Sequence, residues 1–309
     1  MKRTFKLISI CKMYFSLFRR ENFFTMKSFC IKTNNKQIIN YLLNEFSDIN
    51  LNNIYISNNS FKTYENVIIH YTGDKLGLFI DKISFILADC IINFYEKNII
   101  QNILSYNYFY FNELERIQIL DYCTEILNNL NDSYNEKIEL LYNSISKYIY
   151  NNKYFILSGF VKFRLQEYNS FIDSIVDLSV NKFLIEREYA EFINLLKLYV
   201  NSKENNNQIV HLIYINKESI LIDNDKNIIS TNDNIFKAKY LSDISFSSND
   251  YALNTLLNIL PKKIHIHLID NYCDEFINTI KLVFENRVHI CNDCDICKVY
   301  KISNNLYSK

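Results

Sequence analysis

Glycine, proline and tryptophan are almost missing from this chain of 309 residues, which contains three glycines, one proline and no tryptophan. The glycines, Gly73, Gly77 and Gly159, are too few and too far apart for three well-known sites. These are the G-x-G-x-x-G dinucleotide loop, the G-x-x-x-x-G-K-[ST] phosphate loop and the G-x-S-x-G nucleophile elbow. The corresponding enzyme classes are therefore excluded. Asparagine, isoleucine, lysine, tyrosine and phenylalanine are abundant instead, which is typical of AT-rich codon usage.

An excess of charge of either sign is also missing, because 34 basic residues balance 34 acidic residues. The distribution is uneven: residues 1–26 carry a net charge of +5, so residues 27–309 carry −5. Nucleic-acid binding needs lysine and arginine gathered on one face, and the body of the chain has no such excess. With 49% hydrophobic and 22% charged residues, the chain is predicted to fold, and we expect no nucleic-acid partner.

Long hydrophobic runs are absent as well. In the basic N-terminal segment, Lys6 and Lys12 leave only LISIC uninterrupted, which is shorter than the roughly 7–15 residues of a signal-peptide core. Residues 1–25 are either an amphipathic membrane-surface helix or a false start upstream of Met26, and we favour the false start. No other stretch reaches about 18 apolar residues, so no transmembrane span is predicted. Eight cysteines in a large chain without a signal peptide indicate a reducing cytoplasm.

The spacing of apolar residues predicts strands near both ends of the chain and helices between them. Residues 26–110 are predicted to form a β-α-β-β segment and a long helix, and residues 111–200 a helical block. The polar stretch NSKENNNQ at 201–208 is predicted as a linker. Residues 209–309 are predicted to form a second segment of strands and helices that ends in a cysteine-rich tail. The predicted class is α+β, with a central multi-helix block.

One helix, predicted over 160–200, has the clearest pattern of the chain. It has an apolar stripe predicted to face the core, formed by Tyr168, Phe171, Ile172, Ile175, Ser179, Phe183, Phe192, Ile193, Leu196 and Tyr199. Acidic residues lie off this stripe, at Asp173, Asp177, Glu188 and Glu191. We therefore expect the stripe to be buried and the acidic face to be exposed.

Three segments carry a family resemblance. They are YFYFNELERIQIL, the long-helix segment GFVKFRLQEYNSFIDSIVDLSVNKFLIEREYAEFINLLKLYV and the closing INTIKLVFENRVHICNDCDIC. Together they resemble the sporulation protein YtxC family of spore-forming Firmicutes, from about Met26 to the C-terminus. The first 25 residues depart from the family pattern. The resemblance implies a cytoplasmic protein linked to sporulation, and it assigns neither a reaction nor a catalytic residue.

Three cysteines, Cys291, Cys294 and Cys297, form a C-x2-C-x2-C motif near the end of the chain. Each C-x2-C pair can form a knuckle with both sulfurs pointing the same way, so three thiolates can surround one soft cation such as zinc. A ferredoxin-type cluster is disfavoured, because Lys301 and Ile302 stand where a further cysteine and a proline would follow. The alternatives are a redox-active thiol group and plain reduced cysteines.

The motif alone lacks a fourth metal ligand, for which Cys273 and three histidines are the candidates. His265 and His267 share one face of the strand KIHIHLI, because side chains alternate along a strand. For the same reason His289 shares one face of the strand VHIC with Cys291. If these strands are neighbours, a zinc site of three cysteines and one histidine becomes feasible, and we choose His289 as the fourth ligand.

Outside the cysteine motif the candidates for chemistry are weaker. His70 and His211 each lie alone in an apolar strand and are interpreted as core or edge residues rather than ligands. The acidic pairs of the long helix could hold a metal, but the helical block contains no histidine, so a solvated acidic face is the better interpretation. Arg164 and Glu167 are predicted to form a structural ion pair rather than a phosphate clamp.

Two functions fit these observations. The first is a cytoplasmic, sporulation-associated protein that acts through protein partners as a non-enzymatic regulatory or interaction factor. The alternative is a metal- or thiol-dependent enzyme, or a zinc-binding module, centred on the C-terminal cysteines. We favour the first function, because no catalytic or cofactor-binding residue can be assigned from the sequence.

Overall fold

The computed structural model describes residues 27–61, 64–129, 133–204, 206–229, 247–291 and 293–307, so the predicted basic extension at 1–25 lies outside it. In these ranges the chain forms nine α-helices and two four-stranded mixed sheets, one near each end of the chain. The predicted α+β class is therefore confirmed. The chain divides into two compact units, residues 1–183 and 184–309. None of the described helices combines the length and apolar character that crossing a bilayer requires.

The β-α-β-β segment is present in the first unit. It consists of β1 (Lys27–Thr33), α1 (Lys36–Ser47), β2 (Ile54–Phe61) and β3 (Tyr64–Tyr71). Alternate residues of β1 and β3 are buried, as a period of two predicts: Phe29, Ile31, Val67, Ile69 and Tyr71. A strand that was not predicted, β4 (Tyr154–Ile156), pairs parallel with β1 and completes the order β2-β3-β1-β4. Three residues are too short a run for a periodic pattern to reveal.

Five helices follow the N-terminal strands. They are α2 (Leu76–Asn107), α3 (Glu113–Asn129), α4 (Ser133–Asn151), α5 (Leu157–Arg164) and α6 (Gln166–Ser202). A buried ion pair links α2, α4 and α6. The Lys137 ammonium of α4 lies 3.1 Å from the Glu96 carboxylate of α2, and the Tyr168 hydroxyl of α6 donates to the same carboxylate at 2.6 Å. A buried charge needs partners of this kind, so the contact favours one arrangement of α2, α4 and α6.

The helix predicted over 160–200 is divided at Leu165. α5 ends at Arg164 and α6 begins at Gln166. This break interrupts the helical spacing on which the predicted ion pair between Arg164 and Glu167 depends. The guanidinium of Arg164 instead lies 5.9 Å from the centre of the Tyr148 ring, in a cation–π contact.

The predicted stripe of α6 is wrong at Phe192 and Tyr199, and Phe171 is only partly buried. Tyr168, Ile172, Ile175, Ser179 and Phe183 are buried. In the second half, Phe192 and Tyr199 are exposed, whereas the predicted Ile193 is buried and the predicted Leu196 is partly buried. Val200 is buried although it was not predicted. Phe192 lies nine residues beyond Phe183, which is about 2.5 turns at 3.6 residues per turn, so the two side chains point to opposite sides of the helix.

The second unit is built on four strands, β5 (Asn206–Ile215), β6 (Glu218–Ile222), β7 (Pro261–Leu268) and β8 (Val288–Ile290). Their order is β6-β5-β7-β8, with β5 and β6 antiparallel and the pairs β5–β7 and β7–β8 parallel. Its further helices are α7 (Ser248–Ile259), α8 (Glu275–Phe284) and α9 (Asp295–Tyr307). The stretch predicted as a linker, 201–208, contains the end of α6 and the first residues of β5.

The two neighbouring residues Phe192 and Ile193, both members of the predicted stripe, test which side of α6 faces the core. Ile193 is 5% exposed and Phe192 is 47% exposed. We expect Ile193→Ala to lower the free energy of unfolding by about 2–5 kcal/mol, because it leaves a cavity in the core of the second unit. Phe192→Ala is expected to lower it by less than about 1 kcal/mol. Urea unfolding of both variants measures the difference, and a larger loss in Phe192→Ala would contradict the assigned phase.

Candidate metal centre

Three parallel strands bring the histidines of the second unit together. β7 lies between β5 and β8, and the strand register places His211, His265 and His289 opposite one another in one row across the sheet. Ring centroids are 5.2 Å apart between His211 and His265 and 5.7 Å apart between His265 and His289. His267 lies two residues farther along β7 and therefore on the same face as His265.

The cysteines follow directly from the end of β8. The backbone N–H of Cys291 donates to the carbonyl oxygen of Ile266 at 2.8 Å. This bond continues the β7–β8 pairing by one residue and brings Cys291 beside His267. Cys294 immediately precedes α9, and Cys297 lies in the first turn of that helix. The helical turn therefore brings the second and third cysteines of the motif together.

Four possible ligand atoms meet at this point and lie within 4.8 Å of one another. Nδ1 of His267 is 3.3 Å from Sγ of Cys297 and 3.5 Å from Sγ of Cys294. Sγ of Cys297 is 3.8 Å from Sγ of Cys294 and also 3.8 Å from Sγ of Cys291. His267 and Cys297 are each 2% exposed, whereas Cys291 and Cys294 are partly exposed.

These separations agree with the ligand shell of a tetrahedral zinc ion. With Zn–S bonds of about 2.3 Å and Zn–N bonds of about 2.0–2.1 Å, tetrahedral geometry separates two sulfurs by about 3.8 Å and a sulfur from a nitrogen by about 3.5 Å. The four side chains could therefore hold a metal ion with little rearrangement.

The environment of the cluster changes the acidity of its members. Burial lowers the pKa of His267 to about 4, and the neighbouring His211 and His265 add to the effect, so the imidazole is neutral at pH 7. Burial also raises the pKa of Cys291 to about 12, with further contributions from the thiols of Cys294 and Cys297. A neutral imidazole has the free lone pair that a metal ligand needs, and metal binding would displace the protons of the thiols.

Cys294 behaves differently from Cys291. Burial acts to raise the pKa of Cys294, yet its pKa is lowered, because hydrogen bonds from the backbone of Cys297 and Ile296 and interactions with the two neighbouring thiols favour its thiolate. Hydrogen bonds to the charged form favour the thiolate. Of these two partly exposed cysteines, Cys294 therefore has the larger fraction of thiolate at neutral pH.

The structure brings together the three predicted cysteines but selects a different histidine. His289 is exposed and lies outside the four-residue group, whereas His267 belongs to it. Cys273, the other candidate, is exposed and donates to the side-chain oxygen of Asn278 at 3.4 Å. Alternation identified the correct strand face, but the choice among histidines on that face depends on the register between β7 and β8.

His211, interpreted from the sequence as a core or edge residue, also contacts the cluster. Its Nδ1 lies 3.0 Å from Nε2 of His267. The strand that contains His211 has the same apolar alternation as β7, but the sequence does not say which strands are neighbours. His70 has a separate partner in the first unit, where its Nδ1 lies 2.7 Å from Oγ of Ser28.

The carboxylates of the long helix have partners that suit an exposed face. The side-chain amide of Asn107 donates to Asp173 at 3.3 Å, and the Tyr108 hydroxyl donates to Asp177. Among the residues that the structure describes, His267 and the three cysteines form the one group of three or more histidines, cysteines or carboxylates placed to hold a metal. The contacts of Asp173 and Asp177 agree with the interpretation of a solvated acidic face.

Comparison with known proteins adds one result. The family model described as the YtxC-like family matches residues 81–289, which is more than half of the chain. No curated protein and no solved structure matches the chain. The matched range includes all four histidines of the sheet and ends before the cysteine motif.

The different acidities of Cys291 and Cys294 can be measured by alkylation of reduced, chelator-treated protein. At pH 7 we expect iodoacetamide to modify Cys294 at least about tenfold faster than Cys291, because the lowered pKa leaves more thiolate. As the pH rises, the rate at Cys294 is expected to level off below the usual thiol pKa of about 8.5, while the rate at Cys291 continues to increase. Mass spectrometry of the digested protein separates the two sites, and equal rates would contradict the assignment.

Proposed function

The chain belongs to the YtxC-like family, and we propose that it is a sporulation-associated cytoplasmic protein whose C-terminal tail is fixed to the second sheet by a structural zinc ion. In this proposal the ligands are His267, Cys291, Cys294 and Cys297. The protein acts through protein partners as a regulatory or interaction factor rather than as an enzyme.

The observation that carries the proposal is the convergence of four ligand atoms from separate elements. The cysteine motif supplies three ligands by local spacing, and β7 supplies the fourth from a position more than twenty residues earlier in the chain. Four of their six mutual distances are 3.3–3.8 Å, as in a tetrahedral shell, and all six are within 4.8 Å. Packing alone does not require distances that match tetrahedral geometry, because three buried or half-buried thiols can pack at many separations.

Zinc is the metal that this ligand set favours. Three thiolates and one imidazole form a Cys3His set, which is common in structural zinc sites. Thiolate ligands select zinc, copper(I) and iron–sulfur clusters over magnesium and calcium, which prefer oxygen. The cysteine spacing does not continue as a ferredoxin motif would, so zinc is preferred to a cluster of that type.

A closed ligand set supports a structural role rather than catalysis. Catalytic zinc usually keeps one coordination position for water or substrate. In the proposed site, four protein side chains fill the tetrahedral shell, so no position is left for a reactant. A metal-dependent enzyme is therefore less well supported than a zinc-stabilised module.

The tail needs such a link because it buries little apolar surface. In the described residues, the cluster beneath the tail has four buried members, Ile213, Ile222, Ile269 and Cys297. Ile296 and Tyr300 of α9 are partly buried against them. A small apolar cluster holds a peripheral helix weakly, whereas zinc bound by four protein ligands contributes directly to the free energy of folding.

An exposed aromatic turn between α2 and α3 supports the interaction role. Tyr106, Phe109 and Tyr110 are all strongly exposed, although each has a large apolar ring. At about 200 Å² for each aromatic side chain, these three rings leave several hundred square ångströms of apolar surface in contact with water. Tyrosine and phenylalanine are enriched in protein interfaces.

The zinc site predicts the metal content of the purified protein. We expect about one equivalent of zinc by elemental analysis, and we expect His267→Ala and Cys294→Ser to lose it, because three protein ligands hold a structural zinc poorly. His289→Ala and Cys273→Ser are the matched controls and should keep the metal. Limited proteolysis within 293–307 should be at least about tenfold faster in the metal-free variants. Metal that is lost from His289→Ala but kept in His267→Ala would contradict the ligand set.

The physiological role is tested in a spore-forming bacterium that carries this gene. Deletion is expected to lower the number of heat-resistant spores and to leave vegetative growth unchanged. His267→Ala should reproduce the defect and His289→Ala should not. The double variant Phe109→Ala, Tyr110→Ala should lower spore number while keeping its zinc, because both rings are mostly exposed and lie in the first unit, apart from the zinc ligands. Normal sporulation of the deletion strain would contradict the proposal.

A further inference from the structure

We infer that His211 is a positioning residue of the zinc site, which fixes the ring of His267 so that Nδ1 rather than Nε2 binds the metal. The inference rests on the proposed zinc site and adds to it a residue from β5, a strand that supplies no metal ligand.

The two ring nitrogens of His267 have separate partners. Nδ1 lies 3.3 Å and 3.5 Å from the sulfurs of Cys297 and Cys294. Nε2 lies 3.0 Å from Nδ1 of His211. The ring is therefore held between the thiol cluster on one side and an imidazole on the other, and rotating it by half a turn would remove both sets of contacts.

The chemistry of a metal-bound imidazole then determines where the protons lie. A ligating histidine is neutral and offers a lone pair to the metal, so its proton is on the other nitrogen. If Nδ1 of His267 faces the metal, Nε2–H donates to Nδ1 of His211, which must offer its own lone pair. His211 consequently carries its proton on Nε2.

A third residue lies close to His211. The side chain of Asn224 acts to raise the pKa of His211, as an amide oxygen that accepts from a ring N–H does. In the proposed arrangement that N–H is Nε2–H of His211, so each hydrogen bond of the series from His267 through His211 to Asn224 has one proton and one acceptor.

The neighbouring His265 provides a matched control. Its ring lies 5.2 Å from that of His211, the same distance as the ring of His267, and all three side chains share one face of the sheet. The hydrogen bond described above joins His211 to His267. Replacing His265 therefore removes an imidazole from the same surface without removing the contact that is proposed to position the ligand.

The experiment measures the zinc affinity of the full chain by competition with a chromophoric chelator. His211→Ala is expected to bind zinc 10–100-fold more weakly than the wild type, as is typical when a residue that orients a metal ligand is lost. His265→Ala should bind like the wild type. His211→Asn should restore most of the affinity, because its side-chain oxygen can accept at the position of Nδ1.

The second readout is the tautomer of His267, that is, which of its ring nitrogens carries the proton. A purely structural role of His211 would not determine this tautomer. In long-range ¹H–¹⁵N spectra of the zinc-loaded wild type, we expect a proton on Nε2 of His267 and a metal-bound Nδ1. Metal binding through Nε2, or equal affinities of His211→Ala and His265→Ala, would overturn this inference and leave the zinc site intact. A wild-type chain that binds no zinc would overturn the zinc site and this inference together.

Discussion

The parallel pairing of β5, β7 and β8 is the constraint on which the candidate site depends. Residue 265 of β7 lies opposite residue 289 of β8, and this register brings Cys291 beside His267. A shift of one residue would turn Cys291 to the other face of the sheet, because side chains alternate. A shift of two would place His289 opposite His267 and carry the cysteine away. The register therefore decides which histidine meets the cysteine motif.

Apolar burial on the opposite face decides which side of the sheet the histidines occupy. Ile264 and Ile266 of β7 and Val210 and Leu212 of β5 belong to the main core of the second unit. Because side chains alternate, burying these residues directs the histidines to the face that the tail covers. His267 is buried there although it is polar, and it has a partner for each ring nitrogen. The core thus places the histidines, and hydrogen bonds make the burial of His267 tolerable.

Local sequence patterns predict those structural features that depend on residues close together along the chain. The α+β class, the N-terminal β-α-β-β segment and the proximity of the three cysteines all follow from spacings of a few residues. The choice of His267 over His289, and the contact from His211, depend on pairing between strands far apart in sequence, which no local pattern contains. Phe192 was misplaced for a different reason: it is apolar and adjoins the buried Ile193, but Ile193 lies five full turns beyond the buried Ile175 and so occupies the core-facing side that Phe192 does not.

The candidate metal site combines residues from inside and outside the region that matches the family. His267 lies inside the region that matches the YtxC-like family, and the three cysteines lie beyond its end at residue 289. Family membership therefore does not by itself assign the site. The main core of the second unit contains none of the four ligands, so the sheet does not need the metal for its own packing. Loss of zinc is consequently expected to release the tail first, and the proposed role of the metal is to fix α9 on a sheet that is already formed.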